Sequence, residues 1–141
     1  MPRRLVRRMF TRTHEFLYRR TRGVVGGRFR GAPILLLTTT GRKSGKQRTT
    51  PLLYYPNGDN LVIIGSAGGS DHHPAWYVNL VANPRAEVQV AREKKTVTAE
   101  TASPDEKARL WPLLTERYSF LSAYQNGTSR DIPVVLLKKE A

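Results

Sequence analysis

The sequence predicts an α+β or mainly β protein, built on a small antiparallel sheet or barrel of about six strands. Three observations support this fold class. Short apolar runs of strand length recur from residue 33 onward, strong turn sequences join several of them, and the helical patterns are short. A parallel sheet would instead need strands that alternate regularly with helices. The 141 residues suit one domain, and the lack of cysteine excludes disulfides and thiolate metal sites.

The first predicted element is a basic amphipathic helix over residues 3–21, in which apolar residues recur at helical spacing between arginines. Residues 1–30 contain ten Arg and one Glu, so they carry +9 of the formal charge of +13. This composition favours an anionic membrane surface as a partner. Packing of the apolar stripe on the rest of the protein is the alternative. We therefore divide the chain into residues 1–28, a helix and linker, and residues 29–141, the folded domain.

Three strands are predicted next, over residues 34–40, 50–55 and 61–66. The sequence Pro56-Asn57-Gly58-Asp59 separates the second strand from the third. Asn and Gly adopt positive φ at little cost, so this sequence favours a tight turn. The second and third strands are therefore expected to pair as a hairpin.

A short helix and a second hairpin follow. Pro74 is expected at the first position of the helix, with Asp71 or His73 as its cap. Residues 86–102 alternate between apolar and polar side chains on either side of Glu93-Lys94-Lys95. This pattern predicts two antiparallel strands joined around those three charged residues.

The last third of the chain begins with a clear helix start. Ser103 and Glu106 have the spacing of a capping box, and Pro112 is expected to kink or split the helix that follows. Residues 119–131 have no clear period and are predicted to be irregular. Residues 132–139 form a final apolar strand, in which an early proline indicates an edge position.

The segment GRKSGKQRTT, residues 41–50, contains four cations and no acid between two predicted strands. A Walker A loop is excluded, because the glycine spacing is one residue too short and no hydroxyl follows Lys46. The composition still indicates an anion site. Glycines let backbone N–H groups turn toward a ligand, and Arg, Lys and Ser side chains add charge-assisted hydrogen bonds. A solvated basic turn without a ligand is the alternative.

Two other classes of site find little support in the sequence. His14, His72 and His73 lack a further ligand at a recognisable spacing, so no metal site is predicted. The net charge suits non-specific phosphate binding, but no nucleic-acid motif occurs, and aromatic residues are not interleaved with the basic runs. A membrane- or nucleic-acid-binding module without catalysis stays open as an alternative to an enzyme.

Three segments, GRKSGKQRTTPLLYY, GSAGGSDHHPAWYVNLVANP and YQNGTSRDIPVVLL, together resemble the deazaflavin-dependent nitroreductase family, also described as deazaflavin-dependent quinone reductases. The resemblance runs from about Phe29 to Leu137. It implies a split β-barrel, coenzyme F420 as the cofactor, and hydride transfer to a quinone or nitroaromatic acceptor. It also implies a cytoplasmic protein that attaches peripherally to the inner face of the cell membrane.

The resemblance supplies a ligand for the anion site. The tail of coenzyme F420 carries a phosphodiester and several glutamates, all of them anionic. FMN is the alternative cofactor, since related split-barrel reductases hold its phosphate on a basic loop. One phosphate needs fewer cations than the segment offers, so the longer anionic tail is favoured.

The same resemblance implies a set of cofactor-binding residues, distributed over the cationic segment, the strand after it, the later glycine-rich segment and the helix that follows. They are Arg42, Lys43, Ser44, Gly45, Lys46, Arg48, Thr49, Thr50, Pro51, Leu52, Ser66, Ala67, Gly68, Gly69, Trp76 and Asn79.

Tyrosines are implied at the acceptor. Tyr54, Tyr118 and Tyr124 are expected to contact the substrate, and Tyr54, Tyr124 and Ser66 are the catalytic candidates that polarise the acceptor oxygen. A further tyrosine that the family pattern places near Leu121, or at its neighbour Phe120, is absent. The lost hydroxyl removes a hydrogen bond and proton donor for the acceptor, so nitroreductase activity is less well supported than cofactor binding.

Overall fold

The computed structural model describes residues 28–29 and 32–140, and the predicted N-terminal helix lies outside them. The strands are β1 (Arg28–Phe29), β2 (Ala32–Thr40), β3 (Gln47–Leu53), β4 (Tyr55–Asn57), β5 (Asn60–Ile64), β6 (Arg85–Val90), β7 (Glu93–Thr101) and β8 (Val134–Lys139). The helices are α1 (Ala75–Ala82), α2 (Pro104–Arg117) and α3 (Phe120–Asn126). Among these described residues, no helix has the length and hydropathy needed to cross a membrane.

All strand pairings are antiparallel, and they join the strands in the order β1-β2-β6-β7-β8-β5-β4, with β3 also paired to β2. Apart from β1, the ends of this order are β3 and β4. These two strands nevertheless follow each other in the chain with Tyr54 alone between them. The sheet must therefore curl until its ends approach, as in a split barrel. The predicted α+β split β-barrel is confirmed, with eight strands in place of about six.

Each face of the sheet buries its own apolar cluster. On one face, alternate strand residues pack against Trp76 and Leu80 of α1. On the other face, α2 and α3 cover β5 and β8 through Leu110, Leu114 and Leu121. Side chains alternate between the faces of a strand, so consecutive residues of β8 belong to different clusters. This arrangement separates α1 from α2 and α3 and leaves α1 beside the turn that follows β2.

The capping box of α2 is confirmed. The Ser103 N–H donates to Glu106 Oε1 at 3.0 Å, and the Glu106 N–H donates to Ser103 Oγ at 3.2 Å. Of the kink or split predicted at Pro112, the split is wrong, because α2 continues through the proline. Leu110 and Leu114 on either side are buried, and their packing compensates for the hydrogen bond that the proline removes.

The predicted hairpin of residues 50–55 with residues 61–66 is wrong in its pairing. β3 pairs along its whole length with β2, and β4 pairs with β5. The apolar run breaks at Tyr54, whose backbone N–H donates to the Pro33 carbonyl oxygen at 3.3 Å. The turn between β4 and β5 lies where it was predicted, and Gly58 adopts a φ of 61° in it.

Two local predictions around α1 are also wrong. Pro74 is the N-cap itself rather than the first helical residue, and neither Asp71 nor His73 caps the helix. Both side chains bond to the segment after α3 instead. The turn between β6 and β7 lies at Ala91-Arg92, because Ala91 adopts a φ of 54° and the three charged residues after it join β7.

The end of the chain differs from prediction in two respects. Residues 119–131 are not irregular throughout, since they contain α3, which buries Leu121 and ends at Gly127. The predicted edge strand is internal, because β8 pairs with both β5 and β7. Pro133 precedes β8, so its missing N–H removes no bond from either ladder.

Candidate cofactor site

The turn from β2 into β3 contains the basic segment, and we call residues 41–48 the cationic turn. The Gly41 N–H donates to the Lys46 carbonyl oxygen at 2.8 Å, and the Gly45 N–H donates to the Gly41 carbonyl oxygen at 2.9 Å. Gly45 has a φ of 71°, and a Cβ on Gly41 would lie 2.8 Å from Ser44 Oγ. The glycines therefore close and shape the turn, and their own N–H groups are used within it.

Asn79 of α1 fixes the start of the cationic turn. Its Oδ1 accepts hydrogen bonds from the backbone N–H of Arg42 at 3.2 Å and from Arg42 Nη1 at 3.3 Å. Its Nδ2 donates to Thr39 Oγ1 at 3.3 Å. Asn79 and Thr39 are 5% and 2% exposed. The Asn79 amide is therefore buried, and it orients the Arg42 guanidinium at the surface of the protein.

The cationic turn presents four positive side chains to solvent, those of Arg42, Lys43, Lys46 and Arg48. Within the described part of the chain, the ion pairs lie elsewhere and no carboxylate is paired with any of the four. Neighbouring like charges repel one another, and the repulsion is relieved when an anion binds between them. The turn therefore has the donor set and the charge of a site for a polyanion.

A second loop, residues 65–70, is the glycine loop. Ala67, Gly68 and Gly69 follow one another with φ values of 47°, 66° and 83°, a region that disfavours residues with a Cβ. The Gly69 N–H donates to the Ser66 carbonyl oxygen at 2.8 Å. A Cβ on Gly69 would lie 3.1 Å from the Tyr124 ring, whereas one on Gly68 would meet no atom within 4 Å. The loop thus packs on Tyr124 and leaves bare backbone on its open side.

Arg130 holds both ends of the glycine loop. Its Nη1 donates to the Gly65 carbonyl oxygen at 2.9 Å, and its Nη2 donates to the Ser66 carbonyl oxygen at 2.9 Å. Its Nε donates to the Ser70 carbonyl oxygen at 3.0 Å. Nη1 also lies 2.8 Å from Nδ1 of His73. One side chain therefore cross-links the entry and the exit of the loop.

His73 must accept the hydrogen bond from Arg130, because a guanidinium has donors and no acceptor. The neutral imidazole therefore carries its proton on Nε2. Partial burial, and then the positive charge of Arg130, lower the pKa of His73. Both effects favour the neutral ring that this contact requires.

The segment after α3 is itself tied down, which fixes Arg130. The Arg130 N–H donates to Thr128 Oγ1 at 3.2 Å, and Thr128 Oγ1 also donates to Asp71 Oδ1 at 2.8 Å. Gln125 Nε2 donates to the Arg130 carbonyl oxygen at 2.7 Å, and its Oε1 accepts from the Ile132 N–H at 3.0 Å. The backbone of Arg130 is thus held in place by hydrogen bonds on both sides.

An aromatic group connects the glycine loop to the junction of β3 and β4. The Tyr118 hydroxyl donates to the Tyr54 carbonyl oxygen at 2.6 Å, and Tyr118 is buried. Ring centroids lie 6.0 Å apart for Tyr118 and Phe120 and 5.3 Å apart for Phe120 and Tyr124. Tyr124 then packs on Gly69. Tyr118 and Tyr124 therefore belong to one continuous aromatic group. Tyr54 joins it only through its backbone carbonyl, since its side chain packs with the apolar cluster on the other face of the sheet.

The family model described as F420H(2)-dependent quinone reductase matches residues 10–139 of the chain. The chain belongs to this family. It is 44% identical over 135 residues to an F420H(2)-dependent quinone reductase of Mycobacterium tuberculosis, and the match covers 91% of this chain and 89% of the relative.

Two solved structures also resemble the chain. The chain resembles an F420-H2 dependent reductase, FDR-A, with 38% identity and a TM-score of 0.69, covering 75% of this chain and 94% of that one. A structure described as a domain-swapped dimer matches with 34% identity and a TM-score of 0.72, covering 98% of this chain and all of that one.

As a member of the F420H(2)-dependent quinone reductase family, the protein is an oxidoreductase whose cofactor is coenzyme F420. The described residues fit this cofactor. The four exposed cations of the cationic turn match a polyanionic tail, and the bare backbone at Gly68 leaves room for a flat ring.

The structure places the predicted cofactor residues of this F420H(2)-dependent reductase in four neighbouring elements. Thr49, Thr50, Pro51 and Leu52 lie half-buried in β3, directly after the cationic turn, and the Thr49 hydroxyl pairs with that of Thr38 at 2.8 Å. Ser66 and its neighbours form the glycine loop. Trp76 and Asn79 are buried on α1, so they support the surrounding residues rather than line an open surface.

Sequence reasoning missed Arg130. It is one of many arginines, it lies in a polar stretch without a recognisable spacing, and its partners are backbone carbonyls more than 55 residues away in the chain. No pattern in the sequence reveals such contacts. The turn-forming residues Gly127-Thr128-Ser129 indicate that the segment folds tightly. They do not indicate which part of the protein it contacts.

Proposed function

We propose that this protein transfers hydride from reduced coenzyme F420 to a quinone, with the cationic turn gripping the tail of the cofactor. The observation that carries the proposal is the exposure of four cations without a carboxylate partner among the described residues, at the start of β3. Arg42 and Arg48 present forked guanidinium groups that suit phosphate and carboxylate oxygens, and Lys43 and Lys46 act as movable point charges.

The span from the cationic turn to the tyrosines suits an extended ligand. From Arg48 to Tyr54 the chain advances six residues in nearly continuous strand, which is about 20 Å. In the part of the chain that the structure describes, β3 pairs with β2 and its other edge carries no strand. Thr50, Pro51 and Leu52 thus offer a path along β3 from the anionic end of a ligand to its ring.

The glycine loop is the proposed support for the ring. Positive φ at Ala67, Gly68 and Gly69 keeps Cβ atoms away from the open side, so a flat group can lie against backbone. When bound, the reduced cofactor supplies a hydride. The protein's part is to orient both reactants and to hold a proton near the acceptor oxygen.

Ser66, Tyr54 and Tyr124 are the proposed proton-holding residues. Ser66 and Tyr124 both contact Gly69. The Ser66 carbonyl oxygen accepts a hydrogen bond from the Gly69 N–H, and the Tyr124 ring packs against Gly69. The Ser66 hydroxyl makes no hydrogen bond within residues 28–29 and 32–140, so it is available to an acceptor. The Tyr118 hydroxyl is committed to the Tyr54 carbonyl oxygen, and we assign Tyr118 the task of positioning Tyr54.

Asn79 and Trp76 are proposed to act from behind the site. Asn79 aims the Arg42 guanidinium, and Trp76 packs in the apolar cluster beneath α1. Neither side chain is exposed enough to be a main contact of the cofactor.

Our proposal that a quinone is the better acceptor depends on the position of Phe120. Of the two positions where the family tyrosine is missing, Leu121 is buried in the core, whereas Phe120 is 41% exposed between two tyrosines. An apolar ring there suits stacking of a planar quinone and supplies no hydroxyl to a nitro group. We extend the proposal to nitroaromatics only as weak acceptors, and expect Phe120→Tyr to raise nitroaromatic turnover relative to quinone turnover.

The basic segment, residues 1–28, is proposed to bring the protein to an anionic membrane surface. It contains nine arginines and one glutamate, so it carries +8 of the net charge of +13, and each cation near such a surface contributes about 1 kcal/mol. Co-sedimentation with vesicles rich in anionic lipid should be lost when this segment is removed. Equal sedimentation of both proteins would contradict the membrane proposal.

The reductase proposal is tested with purified protein, reduced coenzyme F420 and menadione. Recovery of the deazaflavin absorbance should be faster than without protein, and Ser66→Ala or Tyr124→Phe should slow it without abolishing cofactor binding. Full-rate turnover in both variants would remove these residues from the chemistry. Absence of turnover with cofactor shown to be bound would contradict the reductase itself.

The FMN alternative is tested by comparing dissociation constants for the two cofactors at low and high salt. Tail-driven binding should favour coenzyme F420 and weaken steeply as salt screens the exposed cations. Equal or tighter binding of FMN, with little salt dependence, would instead support an FMN reductase.

A further inference from the structure

We propose that Arg130 is a positioning residue that sets the backbone of the glycine loop, and that protonation of His73 releases this clamp. The proposal rests on the proposed function, because it concerns the loop that we assign to the cofactor ring. It adds a residue that contacts no reacting atom and a proton-dependent control of the site.

Arg130 uses most of its hydrogen-bond donors on the glycine loop and His73. A guanidinium has five N–H donors in a fixed plane. Four of them are used, by the carbonyl oxygens of Gly65, Ser66 and Ser70 and by Nδ1 of His73. A lysine has its three donors on a single nitrogen and cannot reach carbonyls at both ends of the loop.

Apart from Arg130, three things hold the loop: the Gly65 N–H donates to the Pro133 carbonyl oxygen at 2.9 Å, Gly69 packs on Tyr124, and two backbone bonds lie within the loop. Ala67 has a φ of 47°, which is unfavourable for a residue with a Cβ, and two more residues with positive φ follow it. Its internal bonds are the two backbone contacts Gly69 to Ser66, at 2.8 Å, and Ser70 to Ala67, at 3.2 Å. Without Arg130 the carbonyls at both ends would lose their partner, and the loop would be free to relax toward more common φ values.

His73 couples the clamp to pH. Arg130 faces it from the segment after α3, the Tyr77 ring of α1 lies 4.9 Å away, and His72 and Asp71 are its neighbours on the same loop. Asp71 is occupied by Thr128. A proton on Nδ1 would place a second donor and a second positive charge against Arg130.

The sign of the pH effect follows from this contact. The clamp favours neutral His73 and lowers its pKa, so the released loop binds a proton more readily than the clamped one. The clamp is therefore complete above the ordinary histidine pKa of about 6.5 and is lost progressively as the pH falls below it.

The first test follows hydrogen exchange of the backbone amides of residues 65–72 and needs no cofactor. Arg130→Met is expected to raise exchange in this loop, Arg130→Lys is expected to rescue little of the protection, and Arg92→Met is the matched control at an exposed turn. Affinity for coenzyme F420 should fall about tenfold in both Arg130 variants, with the control unchanged. Unchanged loop exchange in Arg130→Met would overturn the clamp.

The second test measures the dissociation constant of coenzyme F420 at about pH 7.5 and about pH 5.5. His73→Asn keeps an acceptor for Arg130 but does not titrate, and His72→Asn is the control. The wild type and His72→Asn should lose about three- to tenfold more affinity in acid than His73→Asn, because ionisation of the ligand affects all three proteins equally. An identical acid loss in all three proteins would overturn the role of His73.

The two tests separate this inference from the proposed function. If wild-type protein does not bind coenzyme F420, the proposed function fails, while loop exchange and the NMR titration of His73 still decide whether the clamp exists. In Arg130→Lys and Arg130→Met the pKa of His73 should change from its wild-type value. If Arg130→Met does not fold, Arg130→Lys and His73→Asn decide the outcome.

Discussion

The cationic turn and the glycine loop use arginine in opposite ways. Arg42 and Arg48 lie exposed in the turn without a carboxylate partner among the described residues, and their charge is available to a ligand. Arg130 has four of its donors satisfied by protein groups around the glycine loop. The difference teaches that an arginine marks a binding site by what it leaves unsatisfied and a structural site by what it already holds.

The two regions should respond differently to salt. Charges in the turn are exposed, so an anionic ligand bound there loses affinity as ionic strength rises. The contacts of Arg130 are short hydrogen bonds to carbonyl oxygens in partly buried positions, which salt screens much less. Substitutions that affect one region and spare the other provide the sharpest checks of this comparison.

Asn79→Leu is expected to have the largest effect of any single substitution outside the turn itself. It leaves the buried Thr39 hydroxyl without this partner, at a cost of about 1–3 kcal/mol, and it releases the exposed Arg42 side chain to solvent. Melting temperature and affinity for coenzyme F420 should both fall, while hydrogen exchange in the glycine loop should not change. Asn126→Leu, at an exposed helix end, is the control. If Asn79→Leu keeps its affinity for coenzyme F420, then Arg42 binds the cofactor without being oriented by Asn79.

Gly69→Ala should come next and should affect the glycine loop alone. A φ of 83° costs a residue with a Cβ about 1–2 kcal/mol, and the new methyl group would lie 3.1 Å from the Tyr124 ring. Quinone turnover should fall more than the tail-driven affinity for coenzyme F420. Gly68→Ala is the matched control for crowding, because it has a similar φ but open space around it. Equal effects of both variants would contradict the importance of the Tyr124 contact.

Tyr118→Phe should destabilise the protein by about 1 kcal/mol, because it removes one hydrogen bond to the Tyr54 carbonyl oxygen. Tyr124→Phe should change stability less and quinone turnover more, since its hydroxyl is proposed to face the acceptor. Thermal unfolding and steady-state kinetics of both variants check this. If Tyr118→Phe loses more turnover than Tyr124→Phe, then Tyr118 rather than Tyr124 is the proton donor.

Ser103→Ala should have a similar or smaller effect on stability and none on cofactor affinity. It removes the Ser103 hydroxyl that accepts from the Glu106 N–H in the capping box of α2, worth about 1 kcal/mol, far from both regions. The backbone hydrogen bond from Ser103 lowers the pKa of Glu106 in the folded protein. Ser103→Ala keeps this backbone donor, so the pH effect is measured with Glu106→Gln. The contribution of ionised Glu106 is present above the ordinary glutamate pKa and is lost as the pH falls through the lowered one, so wild type and Glu106→Gln should converge in stability in acid. A constant difference down to strongly acidic pH would contradict the role of Glu106.

The sequence predicted elements whose signals are local. The capping box at Ser103 and the Asn-Gly turn at Gly58 were placed correctly, since each is decided by a few adjacent residues. Pairing was harder, because residues 50–55 form one apolar run in the sequence, whereas in the fold residues 50–53 pair with β2 and Tyr55 pairs with β5. Side-chain alternation cannot reveal which strand lies alongside.

The candidate site divides in the same way. The cationic turn was visible as a cluster of charges, and its position between two strands is confirmed. The contact of Asn79 with Arg42 and the clamp of Arg130 join residues 37 and about 60 positions apart, and amide and guanidinium groups bind many partners equally well. Such long-range contacts need the fold.

The central claim is tested most directly by the affinity for coenzyme F420 of a protein with Arg42→Gln, Lys43→Gln, Lys46→Gln and Arg48→Gln together. The matched control neutralises four exposed cations elsewhere, with Arg92→Gln, Lys94→Gln, Lys95→Gln and Arg109→Gln. We predict a loss of about a hundredfold or more in the first protein and little change in the second, because several charge-assisted hydrogen bonds are removed from the tail. Equal affinity in the two proteins would contradict a cationic turn built to hold the cofactor.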